Sequence, residues 1–257
     1  MTNEIPKPIP SMSDASIDPA EIAHFEALAT QWWDPHGKFG ILHKFNPVRL
    51  AFIREMAGAQ FGADPKSLRP FEGLTLLDIG CGGGLLSEPM ARLGAAVTGV
   101  DAAEGNVKTA RIHAEQQGLA IDYRAGSAEA LARSGARFDI ILNMEVIEHV
   151  ADRQGFLGAC GSLLKPGGMM IVATINRTPK AYALAIVAAE RILRWVPRGT
   201  HDYRKLVTPP ELESGLKAAG LTVRNRTGVT YDPLMDRWRL TPDLDVNYML
   251  AAVKAGG

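Results

Sequence analysis

The chain carries no excess of charge of either sign: 28 Lys and Arg stand against 28 Asp and Glu in 257 residues. A nucleic-acid binder needs a surplus of basic groups to neutralise phosphates, so no nucleic-acid partner is expected. Cysteine is almost missing. Cys81 and Cys160 are too few for a disulfide framework and lack the spacing of a metal site, so they read as reduced intracellular thiols. The basic start and apolar stretch of a secretory leader are missing too; the first 20 residues instead hold Pro6, Pro8, Pro10, Pro19 and the acids Glu4, Asp14 and Asp18. The longest unbroken apolar run, Ala181 to Ala189, has nine residues, where a spanning helix needs roughly 20. These absences predict a soluble, cytoplasmic protein.

What is present suits one large domain with an extension, since 46% of the residues are apolar. Residues 1–18 are punctuated by Pro and Ser and predict poor order. A helical cap is expected over 19–58. Ile22, Phe25, Ala29 and Trp32 recur at helical spacing, Asp34-Pro-His-Gly breaks the pattern, and a second helix is expected from Asn46-Pro47. Residues 59–73, with Pro65 and Pro70, read as a linker to a core over 74–257.

In that core, short apolar runs alternate with helical segments. Strands are expected at Leu74–Ile79, Ala96–Val100, Ile121–Tyr123, Phe138–Met144 and Met169–Ile175, the last following a Lys165-Pro-Gly-Gly168 turn. Five strands separated by helices predict parallel βαβ units in an open sheet covered on both faces. Beyond them Ala181–Val196 and a segment from Thr208-Pro-Pro-Glu211 read as helices. Leu221–Val223 and Asn247–Val253 read as closing strands.

The segment Leu76-Leu-Asp-Ile-Gly-Cys-Gly-Gly-Gly84 runs a buried strand into four glycines and a helix. Such a loop lets a ligand lie against the backbone at the sheet's carboxyl edge. A dinucleotide fingerprint needs glycine at its first, third and sixth positions; counted from Gly80 and Gly82, the sixth is Leu85. The loop has no Lys-Ser/Thr pair either, so it is not a phosphate loop. Asp101 ends the second strand 17 residues past Gly84, where a carboxylate can accept hydrogen bonds from the vicinal hydroxyls of a ribose.

A second polar cluster follows Phe138-Asp-Ile-Ile-Leu-Asn-Met144. If the chain turns α-helical there, Glu145, Glu148 and His149 share one face at i, i+3 and i+4. That set can ligate a hard divalent ion such as Mg²⁺, or His149 can serve as a general base oriented by a glutamate. Glu145 and His149 are the catalytic candidates.

The loop, with Val97-Thr-Gly-Val-Asp101 after it, resembles the class I S-adenosylmethionine-dependent methyltransferases. Four further stretches narrow the likeness: Phe25-x8-Asp34-Pro with Trp32-Trp33 and then His43-x-x-Asn46-Pro-Val-Arg49-Leu; Glu145-Val-Ile-Glu-His149; Gly199-Thr-His-Asp202; and Asp245-Val-Asn-Tyr-Met249. Together they resemble the ubiquinone-biosynthesis O-methyltransferases over about residues 20–253. The resemblance implies a Rossmann-like α/β fold, a seven-stranded mostly parallel sheet with helices on both faces and an N-terminal helical cap. It implies S-adenosyl-L-methionine bound by Arg49, Gly80, Asp101 and Met144, with Asp78 and Gly82 in the same loop. It also assigns Glu145, Glu148 and His149 to a divalent metal, Mg²⁺. Where related enzymes carry Asp-Ala after the third strand for the adenine amine, this chain has Ser127-Ala128.

The implied substrates are polyprenylated phenols and catechols, methylated on a ring hydroxyl, and the implied partners are other proteins of ubiquinone synthesis. The segment 180–198, within a lid insertion at about 178–205, mixes apolar residues with Arg191, Arg194, Trp195 and Arg198. It suits a helix lying in an anionic membrane surface, which would place the protein peripherally on the inner face of a membrane. The competing readings are a methyltransferase acting on a soluble small molecule, a nicotinamide-dependent oxidoreductase, and a non-catalytic assembly subunit.

Overall fold

The computed structural model describes residues 16–184 and 202–256. The N-terminal tail up to residue 15, and most of the helix expected over Ala181–Val196, lie outside the described residues.

Helix α1 (Pro19–Glu26) begins at a good cap: Asp18 accepts from Ala20 N at 3.0 Å and Pro19 fills the first turn. Helix α2 (Gly40–Phe61) starts six residues before the expected Asn46, so Pro47 lies inside it rather than in its first turn. Proline there forfeits one backbone bond. Burial of Phe45, Val48, Phe52 and Ile53 along one stripe outweighs that loss. Gly62, at φ 64°, ends the helix in the left-handed cap that glycine favours.

The core alternates as expected: β1 (Thr75–Ile79), α3 (Ser87–Arg92), β2 (Ala96–Asp101), α4 (Glu104–Gln116), β3 (Asp122–Ala125), α5 (Ala128–Arg133), β4 (Phe138–Met144), α6 (Arg153–Leu163) and β5 (Leu164–Ile175). After the short α7 (Pro179–Ala181) come α8 (Pro209–Ala218), β6 (Leu221–Asp232), β7 (Arg237–Thr241) and β8 (Asn247–Lys254). Thr208 and Glu211 form a reciprocal capping box at the start of α8.

The eight strands make one sheet in the order β3-β2-β1-β4-β5-β8-β6-β7. The first five are parallel, and β8, β6 and β7 join antiparallel. The eighth strand, beyond the seven expected, is β7, which pairs with an extended β6 as a hairpin. Strand β5 begins at Leu164 instead of Met169, because Leu164 already pairs with Phe138 and the Pro-Gly residues bulge from β5 before Met169 pairs with Ile140.

Alternation along the strands splits the core. Leu77, Ile141 and Met170 pack with Phe156, Leu212 and Leu216 of α6 and α8 on one face. Leu76, Ile140 and Ile171 pack with Phe45, Phe52 and Met90 of α2 and α3 on the other. The strand order reverses at β1, flanked by β2 and β4, and the crevice at their carboxyl ends is where an open α/β sheet takes its ligand. Among the described residues no helix is long and apolar enough to cross a membrane.

Candidate active site

The glycine loop leaves β1 with its backbone braced on β2: Gly80 N and Cys81 N both donate to Val100 O, at 2.7 and 3.1 Å. Gly80 and Gly82 sit at φ 67° and 53°. A Cβ on Gly80 would collide with Val146, and one on Gly82 with the ring of Trp32. The loop is thus closed in by side chains from β4's outlet and from the N-terminal segment. Beneath it Asp78 is buried, with Ser87 Oγ donating to it at 2.6 Å, and burial pushes its carboxyl up to about 6.

Asp101 accepts from Gly82 N at 2.9 Å, Ala103 N at 2.9 Å and Asn106 Nδ2 at 3.1 Å. Burial raises its pKa despite those three bonds. A carboxylate offers about four acceptor positions, so a ribose hydroxyl finds room for one bond, and a second must replace an internal one. Trp32 Nε1 donates to Asn106 Oδ1 at 2.8 Å, which links the N-terminal segment to the Asp101 network.

Arg49 projects from α2 and is buried, its Nη2 on Asn46 Oδ1 at 2.6 Å and its guanidinium 5.0 Å from the centre of the Phe45 ring. Its Nε has no hydrogen-bond partner. Burial lowers its pKa, against the more distant pull of Glu145 and Asp78. A buried guanidinium with an open donor is a site for an anion.

The acid–acid–histidine cluster differs from the expected α-helical face. Strand β4 ends at Met144, Glu145 takes a left-handed φ of 59°, and Ile147–His149 is a 3-10 turn. With three residues per turn and a reversed start, Glu145 and Glu148 stay side by side while His149 turns away to α1. Glu148 points inward, its Oε2 accepting from Thr174 Oγ1 at 2.9 Å, while His149 Nδ1 lies 3.1 Å from Glu21 Oε2 on α1. Glu145 Oε1 and Glu148 Oε1 are both buried without a partner. Burial, and then the neighbouring Glu145 charge, push Glu148 well above the usual carboxylate range. Among the described residues no three His, Cys, Asp or Glu side chains gather as a metal site, so the triad expected from spacing is not assembled. A non-glycine residue in the left-handed region is strained backbone, and such strain concentrates at functional sites.

One cavity of about 560 Å³ joins these groups, a size typical of small-molecule sites. Arg49, Asp78, Gly80, Asp101 and Met144 line it, together with Ser127, Ala128, Glu145 and His149; Gly82 and Glu148 are not on its wall. Ser127 caps α5, accepting from Ala130 N at 3.0 Å. Glu21, Asn106 and Glu129 also face the cavity and were not singled out from the sequence. Glu21 lies 128 positions from the histidine it touches, and no local pattern reports such a contact.

Residues 77–172 match the family described as "Methyltransferase domain". A ubiquinone biosynthesis O-methyltransferase of Parvibaculum lavamentivorans is 61% identical over 94% of this chain and 95% of its own length. One from Mesorhizobium japonicum is 58% identical over 96% and 99%. Among solved structures, magnesium protoporphyrin IX methyltransferase from Synechocystis, with bound SAH, matches with a TM-score of 0.61 at 19% identity over 91% of this chain and 95% of that one. That distant likeness speaks for the fold, and the close relatives speak for the family: the chain is an S-adenosylmethionine-dependent enzyme belonging to the ubiquinone biosynthesis O-methyltransferases.

Proposed function

We propose that this chain transfers the methyl group of S-adenosylmethionine to a ring hydroxyl of polyprenylated phenols and catechols, of the 2-polyprenyl-6-hydroxyphenol and 3-demethylubiquinol type. One observation carries the reading: Arg49, the glycine loop and Asp101 open into the same cavity as Glu145 and His149. Arg49 takes the carboxylate of the methyl donor, Asp101 its ribose, and Met144 packs beside the adenosine, with Ser127 and Ala128 at the far end. Residues 19–58 act as a cap over this cavity.

The donor's sulfonium is already activated, so the reaction is an in-line displacement. The methyl–sulfur bond breaks as the methyl–oxygen bond forms, and the sulfur keeps the electron pair. A phenol's ordinary pKa is about 10, so His149 takes the proton through Nε2 while the cavity walls hold oxygen, carbon and sulfur in line. The two adjacent carboxyls of Glu145 and Glu148, each with an unpartnered buried oxygen, fit a hard cation as oxygen donors. His149, expected as a third ligand, is turned to Glu21 and serves as the base. A bound Mg²⁺ would acidify the acceptor hydroxyl.

A long isoprenoid tail does not leave a bilayer readily, and the segment 180–198 is the proposed membrane contact. Most of it lies outside the described residues; Tyr182 and Leu184, at its start, are exposed, and Leu184 lies on the cavity wall. The test is methyl transfer to a short-chain prenyl catechol and to its tail-less analogue, each with and without a chelator. Turnover that prefers the prenylated acceptor and falls on chelation is expected. Equal rates on both acceptors would defeat the lipid-substrate reading, and indifference to chelator would defeat the metal.

A further inference from the structure

The cavity spans much of the sheet's carboxyl edge. Asp101 and Ser127 follow β2 and β3 on one flank, while Val229, Tyr231, Pro233 and Trp238 of the β6–β7 hairpin line it on the other. The strand register explains how a hairpin at the sheet's edge reaches so far. Strand β8 begins at Asn247, whose partner on β6 is Val229. Beyond that point β6 pairs, among the described residues, with β7 alone: Tyr231 opposite Trp238 and Asp232 opposite Arg237. At about 3.4 Å per residue the two strands stand roughly 10 Å clear of β8 as an arm.

Residues directly opposite share a face of the sheet. The Tyr231 and Trp238 rings accordingly lie together, with centroids 5.4 Å apart, and Trp238 meets Phe45 of α2 at 4.8 Å. Lys44 Nζ on α2 donates to both oxygens of Asp236, at 3.0 and 2.9 Å, and Tyr231 OH donates to one of them. The arm is thus fastened to α2 through exposed charges, with its aromatic side chains on the cavity wall.

We propose that this arm, with Phe45 of α2, is the binding site for the isoprenoid tail of the acceptor. The inference rests on the reading that the acceptor is prenylated. The aromatic wall belongs to the same cavity as Gly80 and Glu145, so a tail joined to the reacting ring can lie along it without passing through solvent. The arm ends in Leu234 and Met235, 94% and 60% exposed, which carry the apolar path on to the surface. A wall on the order of 10 Å long covers the first isoprene units and not a whole polyprenyl chain. Trp238 Nε1 is buried without a partner. A hydrocarbon tail offers it no oxygen or nitrogen acceptor, so the ring of Trp238 should matter to binding and its N–H should not.

The experiment uses the full chain in detergent, with tail-less, diprenyl and tetraprenyl catechols as acceptors. Wild type, Trp238→Ala and Trp238→Phe are compared, with S-adenosylhomocysteine affinity by calorimetry as a check on the rest of the cavity. Burying the first units against the arm should make kcat/KM roughly 10- to 100-fold higher for the diprenyl than for the tail-less acceptor. The tetraprenyl acceptor should gain little more. Trp238→Ala should bring the diprenyl to tail-less ratio close to one, mainly through KM, and Trp238→Phe should keep it. An unchanged ratio in Trp238→Ala would overturn the proposal. A wild type without preference for prenylated acceptors would instead defeat the lipid-substrate reading, and this site with it. A diprenyl catechol with a diazirine on its tail, photolysed on the wild-type chain, tests the site without any variant. Label within 227–241 or on Phe45 is expected, and label confined to 180–198 would overturn the assignment.

Discussion

Arg49 offers the sharpest test of how the cavity holds its methyl donor. Replacing it with methionine keeps much of the volume but removes a buried cation whose Nε has no partner and whose Nη2 is already on Asn46. At least one charge-assisted bond to the donor's carboxylate should be lost. Such a bond contributes about 1.5–3 kcal/mol, which corresponds to roughly 10- to 150-fold weaker binding. The assay is calorimetry with two ligands: S-adenosylhomocysteine, which carries the carboxylate, and 5′-methylthioadenosine, which lacks the whole amino-acid part. Arg49→Met should weaken the first by that factor and leave the second alone. The ligand-free variant should also be more stable, because an unpaired buried charge has gone. A gain of about 1–2 kcal/mol would raise the melting temperature by about 2–8 °C in a chain of this size. Equal losses for both ligands, or a lower melting temperature with no loss of affinity, would show that Arg49 shapes the helix and not the carboxylate site.

Asp78 gives a pH prediction. Its folded pKa, pushed up to about 6 from 3.8, lies above the unfolded value, so the folded state binds the proton more tightly and stability is lost as pH rises from about 4 to 6. The loss is about 3 kcal/mol at most. Asp78→Asn should flatten that part of the curve and raise stability at pH 8, checked by urea midpoints of both proteins at pH 4 and 8; parallel curves would refute it. Gly82→Ala places a Cβ in the Trp32 ring at a φ of 53°. It should destabilise the fold by about 1–3 kcal/mol and weaken S-adenosylhomocysteine binding. Unchanged thermal unfolding and affinity would mean that Trp32 moves aside without cost.

The sheet core was legible because its signals are local. Leu76 to Gly84 and Phe138 to Met144 each combine a buried strand with a distinctive outlet, and the helices between them carry caps or stop signals at their own ends. Strand β7 was not legible: Arg237-Trp-Arg-Leu-Thr241 is largely exposed, and its pairing with β6 depends on a hairpin around Asp236, a non-glycine residue at φ 45°. Spacing put Glu145, Glu148 and His149 on one α-helical face, which the backbone does not form. It assumed an α-helical turn where a left-handed residue and a 3-10 turn keep Glu145 beside Glu148 and turn His149 to Glu21. Glu21 escaped for the opposite reason, since nothing beside it in sequence marks it.

On the proposed reading, the charges of the cavity favour substrate over product. Asp78 and Asp101 are both held above their ordinary pKa range, chiefly by burial, and Asp101 adds its own repulsion to Asp78. Glu148 is pushed up likewise, with Glu145 beside it. Among the described residues Arg49 is a cation buried near this group, on α2. The remaining field is that of acids short of positive partners, at low local dielectric, where a cationic ligand interacts most strongly. A sulfonium donor supplies that missing charge. Once the methyl group has moved, the sulfur would be neutral and that attraction would be gone. The raised carboxyl pKa values and an attraction for a cationic donor would both follow from the burial of acids at the end of β1, β2 and β4.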